Sequence, residues 1–128
     1  MSGRYAVSQP ERRAEVQVVT KAVAKAASIL DISNTALGRV LGISDATVSR
    51  MRAGEWTLAA DTKPYELSVL FLRLFRGLDA IVGGDAASAK SWLRSHNTAL
   101  HDVPFTLIQT VSGLMLAVQY VDARRARL

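Results

Sequence analysis

The residues with the most informative spacing lie near the middle of this 128-residue chain, and most of them are polar. They are Ser44, Asp45, Ala46, Thr47, Ser49, Arg50 and Arg52, with Arg39 a little upstream. Hydroxyl and guanidinium groups donate hydrogen bonds to phosphates and base edges, and a carboxylate accepts them from the amino groups of bases. On a helix, Asp45, Ala46, Ser49 and Arg50 turn outward together, which predicts a helix that reads DNA bases. Arg39 and Arg52 are expected nearer phosphates.

The apolar spacing around these residues predicts two short helices that meet at a sharp turn. The apolar pairs are Leu37 with Leu41 and Val48 with Met51. Gly42 suits the left-handed residue that ends a helix, and Ser44 is a good N-cap for the next one. Gly38 leaves room for the helices to approach. An ordinary helical hairpin is the alternative, but the whole stretch resembles the Xre-type helix-turn-helix, whose second helix enters the major groove.

Composition limits the class of protein. A hydrophobic content of 49% excludes a disordered chain, and 128 residues suffice for one domain or two small ones. The chain has no cysteine, so thiolate metal sites and disulfides are excluded. Together with the lack of a signal-peptide pattern, this predicts a cytoplasmic protein. The uncharged stretch over residues 103–121 is interrupted by polar residues and is expected to be buried helix, not a membrane span.

The charge distribution bears on DNA affinity. The net charge is +5, yet residues 31–62 carry three basic and four acidic side chains, a net −1. Each phosphate neutralised by Lys or Arg adds affinity through counterion release. A single copy should therefore bind DNA weakly, and two or more copies are expected to act together.

The remaining pattern is helical, so the chain is predicted to be all-α. Beyond an arm over residues 1–7, Ser8 and Glu11 have capping-box spacing for a helix that runs to about Leu30. Further helices are expected over residues 64–82, from Asp85 to about residue 94, from residue 104, and after Thr110. The predicted domains are a DNA-binding unit over residues 1–62 and a second unit over residues 63–128.

The helix predicted over residues 64–82 is apolar on nearly all of its faces. A lone chain of this size is not expected to cover them all, which predicts a homodimer or higher oligomer. Leu70, Leu74 and Phe75 are the candidates for the subunit interface. Two-fold symmetry would present two recognition helices to a palindromic operator.

A second resemblance lies in the C-terminal half. Residues 91–100 read Ser-Trp-Leu-Arg-Ser-His-Asn-Thr-Ala-Leu, followed by Pro104 and by Thr110-Val-Ser-Gly113. This order resembles the toxin-binding domain of Xre/MbcA/ParS-type antitoxins. The resemblance implies a RES-domain toxin that degrades NAD as partner, and an operator repressed by the antitoxin. The residues predicted to bind toxin are Trp92, Asn97, Leu100, Tyr120, Arg124, Arg125, Arg127 and Leu128.

Simpler roles are open for several of these residues. Trp92 could fill a core, Asn97 could bond the loop backbone, and the terminal arginines could be a solvated helix end. The two histidines, five residues apart, are expected to bond loops and not to ligate a metal. Nothing assembles a catalytic set, so no enzyme, cofactor or metal is predicted. The rival functions are a stand-alone helix-turn-helix regulator whose C-terminal half only dimerises, and a protein-interaction module with a degenerate reader.

Overall fold

The computed structural model describes residues 8–128, so the predicted arm over residues 1–7 lies outside the described residues. The described part forms seven α-helices. They are α1 Gln9–Ile29, α2 Asn34–Leu41, α3 Asp45–Arg52, α4 Lys63–Ile81, α5 Ala86–Arg94, α6 Pro104–Leu107 and α7 Val111–Arg125. Between residues 8 and 128 the only β-type pairing is an isolated bridge from Asn97 to Asp102. The predicted all-α class is confirmed.

Helix starts follow the capping residues that the sequence supplies. Ser8 and Glu11 form a complete capping box at α1, and the Ser33, Ser44 and Thr110 side chains accept a backbone N–H at the starts of α2, α3 and α7. These predictions are confirmed. The start of α5 differs, because its N-cap residue makes no hydrogen bond of this kind.

At α5 the predicted cap is replaced by a side-chain contact. The Asp85 carboxylate accepts a hydrogen bond from the Ser88 hydroxyl. That hydrogen bond lowers the pKa of Asp85. The carboxylate therefore still orders the first turn of α5, through a neighbouring side chain.

Helix α4 is the centre of the fold, because α1, α2, α5 and α7 all pack against it. Its Phe71, Leu74 and Leu78 side chains are fully buried within a single chain. The prediction that Leu74 lies at a subunit interface is therefore wrong: the chain covers more of α4 than its apolar sequence suggests. Leu70 and Phe75 are half-buried and keep part of their surface free.

One hydrophobic core runs through both halves of the chain, from Val23 on α1 to Val121 on α7. The segment between α3 and α4 joins it, because Leu58 is buried and its N–H donates to the Thr20 hydroxyl at 3.1 Å. The apolar Trp56 and Leu58 in this segment predict such a packed connection, and the burial of Leu58 confirms it. The uncharged stretch over residues 103–121 divides into α6 and α7, and within residues 8–128 no helix is both long and apolar enough to cross a membrane.

The turn between α6 and α7 requires glycine at position 113. Gly113 is the first-turn residue whose N–H is bound by the Thr110 hydroxyl at 3.1 Å. A Cβ atom there would overlap the backbone carbonyl of Leu107. Backbone cannot move aside as a flexible side chain would, so α6 and α7 approach this closely only with glycine present.

We expect Gly113→Ala to lower the free energy of unfolding by about 1–3 kcal/mol or more, because overpacking forces the α6–α7 turn apart. The matched control is Ser112→Ala, one residue earlier and exposed, which should change stability by less than about 0.5 kcal/mol. Urea unfolding followed by circular dichroism measures both. Equal midpoints for Gly113→Ala and the unaltered protein would contradict the close packing.

Candidate functional site

Helices α2 and α3 form the predicted helix-turn-helix. Gly42 ends α2 with a φ of 74°, the left-handed conformation expected of it. A Cβ atom on Gly38 would stand 2.6 Å from the carbonyl oxygen of Ile43, so a larger residue would push the turn away. Val48 and Met51 are buried and fix α3 against the core. The side of α3 that faces away from the core is thereby set.

The exposed side of α3 carries the residues predicted to read DNA. Asp45, Ala46, Ser49 and Arg50 are all exposed. Small side chains at Ala46 and Ser49 let a helix approach base edges closely, and a guanidinium at Arg50 suits a guanine or a phosphate. We name these four residues the reading face.

Hydrogen bonds within the helix-turn-helix hold the first turn of α3. The Ser44 hydroxyl accepts the Thr47 N–H at 3.1 Å and lies 2.9 Å from the Thr47 hydroxyl. Arg50 donates to the Thr47 hydroxyl at 3.3 Å, and Thr35 on α2 donates to the Asp45 carboxylate at 2.7 Å. Hydrogen bonds of Ser44 and Thr47 thus order the first turn of α3, which carries part of the reading face.

The two arginines predicted near phosphates both have partners within the protein. Arg52 Nη1 donates to Asn34 Oδ1 at 2.5 Å, and Arg52 Nη2 donates to the carbonyl of Ile32 at 2.8 Å. Burial lowers the pKa of Arg52, which still leaves an arginine charged near neutral pH. Arg39 is exposed and donates to Gln109 Oε1 at 3.4 Å. Residue spacing could not predict these partners, which lie 18 to 70 residues away along the chain.

A second polar and aromatic surface lies on α5 and α7. The Trp92 and Tyr120 rings are stacked, with centroids 6.3 Å apart and planes 20° apart. Arg124 Nη1 donates to the Tyr120 hydroxyl at 2.8 Å, and its guanidinium carbon lies 5.7 Å from the Tyr120 ring centroid. Trp92 and Tyr120 are half-buried. We name Trp92, Tyr120 and Arg124 the aromatic ladder.

The loop after α5 is built around Asn97. Its side-chain oxygen accepts the Leu100 N–H at 3.0 Å, and its own N–H donates to the Asp102 carbonyl at 2.9 Å. The interpretation of Asn97 as a loop-bonding residue is confirmed. His101 adopts a φ of 62° in this loop. In the part of the chain that the structure describes, no three His, Asp or Glu side chains are grouped to hold a metal ion.

The end of α7 exposes the predicted basic tail. Arg125, Arg127 and Leu128 are exposed, Leu128 by 78%. Two features here were not predicted. Arg73 on α4 forms an ion pair with Asp122 at 2.5 Å. The spacing of Val111, Leu114, Val118 and Val121 predicts one buried stripe on α7. The last three are buried, with Ala117 beside them, whereas Val111 is exposed.

The fold is that of a helix-turn-helix protein whose first unit shares one core with a second helical unit. Comparison with known families makes this class more specific. Residues 9–73 match the antitoxin Xre-like helix-turn-helix domain. Residues 77–127 match the antitoxin Xre/MbcA/ParS C-terminal toxin-binding domain. The chain therefore belongs to the Xre/MbcA/ParS antitoxin family, with both of that family's domains.

The fold is also found in a solved structure. One chain in the crystal structure of the M. tuberculosis MbcT–MbcA toxin–antitoxin complex superposes with a TM-score of 0.64 at 19% sequence identity. The match covers 87% of this chain and 96% of that one. A search of curated proteins found no significant match. The two family matches meet within α4, whereas the boundary predicted after residue 62 falls just before that helix.

Proposed function

We propose that this antitoxin binds and neutralises a RES-domain toxin in the cytoplasm and represses its own operon by binding operator DNA. The observation that carries the proposal is the presence of both family domains in one chain, with the reading face and the aromatic ladder on different helices. Its role is binding and not catalysis.

For DNA, the reading face supports base contacts from Ser49 and Arg50. Both side chains are exposed on α3, while the buried Val48 and Met51 on the opposite side pack this helix against the core. The neighbouring charge is low, since residues 31–62 carry a net −1. Low charge reduces the affinity that one copy gains from phosphates. A dimer that places two reading faces on one operator would compensate.

We expect Arg50→Ala to weaken operator binding by about 1–3 kcal/mol if Arg50 reads a guanine. A phosphate contact would instead weaken binding to all sequences alike and flatten the salt dependence. The measurement is a titration of the duplex upstream of the gene, and of an unrelated duplex, at several salt concentrations. Arg13→Ala, at an exposed arginine near the start of α1, is the charge-matched control. If Ser49→Ala with Arg50→Ala together left operator affinity intact, α3 would not be the recognition helix.

For self-association, α4 carries an apolar patch that one chain leaves uncovered. Tyr65, Val69 and Leu70 line a shallow depression together with Glu66, and Val69 is 43% exposed. Phe75 is half-buried further along the same helix and adds to the candidate surface. We propose that Leu70 and Phe75 contact a second copy, which would form a homodimer or higher homo-oligomer.

We expect light scattering to show a dimer or larger species at tens of micromolar. Leu70→Arg should shift it to a monomer, because burying a guanidinium without a partner is unfavourable. Val18→Arg places the same side chain on an exposed valine of α1 and should leave the assembly unchanged. A monomer for the unaltered protein would refute the proposed assembly.

For the toxin, the C-terminal unit offers a rigid platform and a projecting end. The platform is α7, whose Leu114, Val118 and Val121 are buried. The last turn of α7 and the residues that follow it, together residues 123–128, carry three arginines and end at the exposed Leu128. An NAD-binding pocket must accept a pyrophosphate, which arginines mimic poorly. We propose that the arginines form ion pairs with acidic residues at the rim of the toxin's pocket, while the Leu128 side chain or its carboxylate enters that pocket.

Charge pairs of this kind fix orientation more reliably than they add affinity. Most of the affinity should therefore come from apolar contacts. The aromatic ladder and Leu100 are the proposed contributors, together with the exposed Leu116 on α7. Asn97 supports this surface by holding the loop that carries Leu100.

We expect deletion of residues 123–128 to abolish or weaken protection against the toxin in co-expressing cells. Folding, assembly and DNA binding should stay intact, because these residues are exposed and lie outside the core. Growth after induction measures protection, and operator binding by the truncated protein is the control. Full protection would place inhibition on the surface from Trp92 to Leu100. If the intact chain did not bind the toxin at all, a stand-alone regulator whose second half only dimerises would be the better description.

A further inference from the structure

Two arginines from distant helices bind the same short segment, the junction between α1 and α2 over residues 30–34. Arg94 Nη1 and Nη2, at the end of α5, donate to the carbonyls of Leu30 at 2.9 Å and Asp31 at 2.6 Å. Arg52, at the end of α3, donates to the next carbonyl, that of Ile32, and to the Asn34 side chain. Three successive carbonyls thus accept bonds from two guanidinium groups.

The junction needs such partners because of where it lies. A helix C-terminus leaves carbonyls without intrahelical donors and carries a partial negative charge. Helix α1 has no basic residue in its own last turn. Asp31 also adopts a φ of 56°, which is unfavourable for a residue with a side chain. Arg52 and Arg94 therefore supply from elsewhere the positive charge and donors that α1 lacks.

The two arginines differ in their other surroundings. Arg52 is half-buried, and the structure shows no hydrogen-bond partner for its buried Nε. The Arg94 guanidinium lies 5.0 Å from the centroid of the Phe105 ring, which belongs to α6. The junction thus connects α3, which carries the reading face, with α5 and α6, which belong to the matched toxin-binding domain.

We propose that Arg52 and Arg94 are positioning residues that fix the α1–α2 junction and, through it, the recognition helix, and that neither contacts DNA. Arg52 joins the end of α3 to the start of α2, so the two helices of the reader are held at a second point besides their turn. Arg94 holds the same junction from the C-terminal half. A residue of the toxin-binding half therefore governs operator affinity. This inference rests on the proposed DNA binding.

The competing role for Arg52 is a direct phosphate contact, and the salt dependence separates the two. Losing one phosphate contact reduces the slope of log K against log salt by about 0.9, whereas losing a positioning contact leaves the slope unchanged. A lysine ammonium can replace arginine at a phosphate. It cannot replace the planar guanidinium group that reaches two acceptors at fixed positions, here the Asn34 side chain and the Ile32 carbonyl. We expect Arg52→Gln and Arg52→Lys both to weaken operator binding by roughly tenfold with the slope unchanged.

Asn34 gives an independent test, since Asn34→Ala removes an acceptor of Arg52 and keeps the cation. We expect Asn34→Ala to weaken operator binding without changing the slope of log K against log salt. The double variant Asn34→Ala with Arg52→Gln should bind the operator no more weakly than the weaker of the two single variants. That non-additivity marks residues acting through one contact. A reduced slope in Arg52→Gln that Arg52→Lys restores, with additive effects of Asn34→Ala, would overturn the assignment of Arg52.

For Arg94, we expect Arg94→Gln and Arg94→Lys to weaken operator binding several-fold, again with the slope unchanged. Arg13→Gln removes the same charge from an exposed position near the start of α1, at the opposite end of that helix from the junction, and should have no effect. Equal operator affinity for Arg94→Gln and Arg13→Gln would overturn the assignment of Arg94.

A measurement without DNA keeps the inference distinct from the proposed function. Amide hydrogen exchange of the full chain should rise in α2 and α3 of Arg94→Gln and of Arg52→Gln, and stay unchanged in α7. If the unaltered protein did not bind the upstream duplex, the proposed repressor role would fail, and exchange alone would decide the positioning role. Unchanged exchange in α2 and α3 of both variants would overturn it.

Discussion

Burial of α4 is the constraint on which the rest of this structure depends. Phe71, Leu74 and Leu78 are fully enclosed by helices that come from both halves of the chain. Truncating a buried leucine to alanine costs about 2–5 kcal/mol, a large part of the stability of a small domain. The helix-turn-helix and the toxin-binding unit are therefore not two independent domains joined by a flexible linker. They share a core, and each is stable in the presence of the other.

Sharing a core fixes how the two functional surfaces are related. The reading face projects from α3, and the aromatic ladder spans α5 and α7. The contacts between them are polar as well as apolar: Arg94 reaches the α1–α2 junction, and Arg39 reaches Gln109. The surface proposed for DNA and the surface proposed for the toxin are thus connected through helices that share one core.

Local features were predictable because their causes lie within a few residues. The caps at Ser8, Ser44 and Thr110 and the left-handed Gly42 follow from side-chain chemistry at a helix end. The burial of Leu74 did not follow, because it depends on which helices cover α4, and the sequence pattern shows only that α4 is apolar. The partners of Arg52 and Arg94 lie 18 to 64 residues away, so spacing could not reveal them. Exposure of the reading face was predicted from periodicity, whereas the role of Arg52 at its edge required the fold.

The most direct test of the central claim is the NAD content of cells that express the protein encoded beside this gene, with and without the full antitoxin chain. We predict that NAD falls when the neighbouring protein is made alone and stays at the uninduced level when the chain is made with it. The two proteins should then purify together. An equal fall of NAD in both cultures, or no fall with the neighbouring protein alone, would contradict the account of this chain as the antitoxin of a RES-domain toxin.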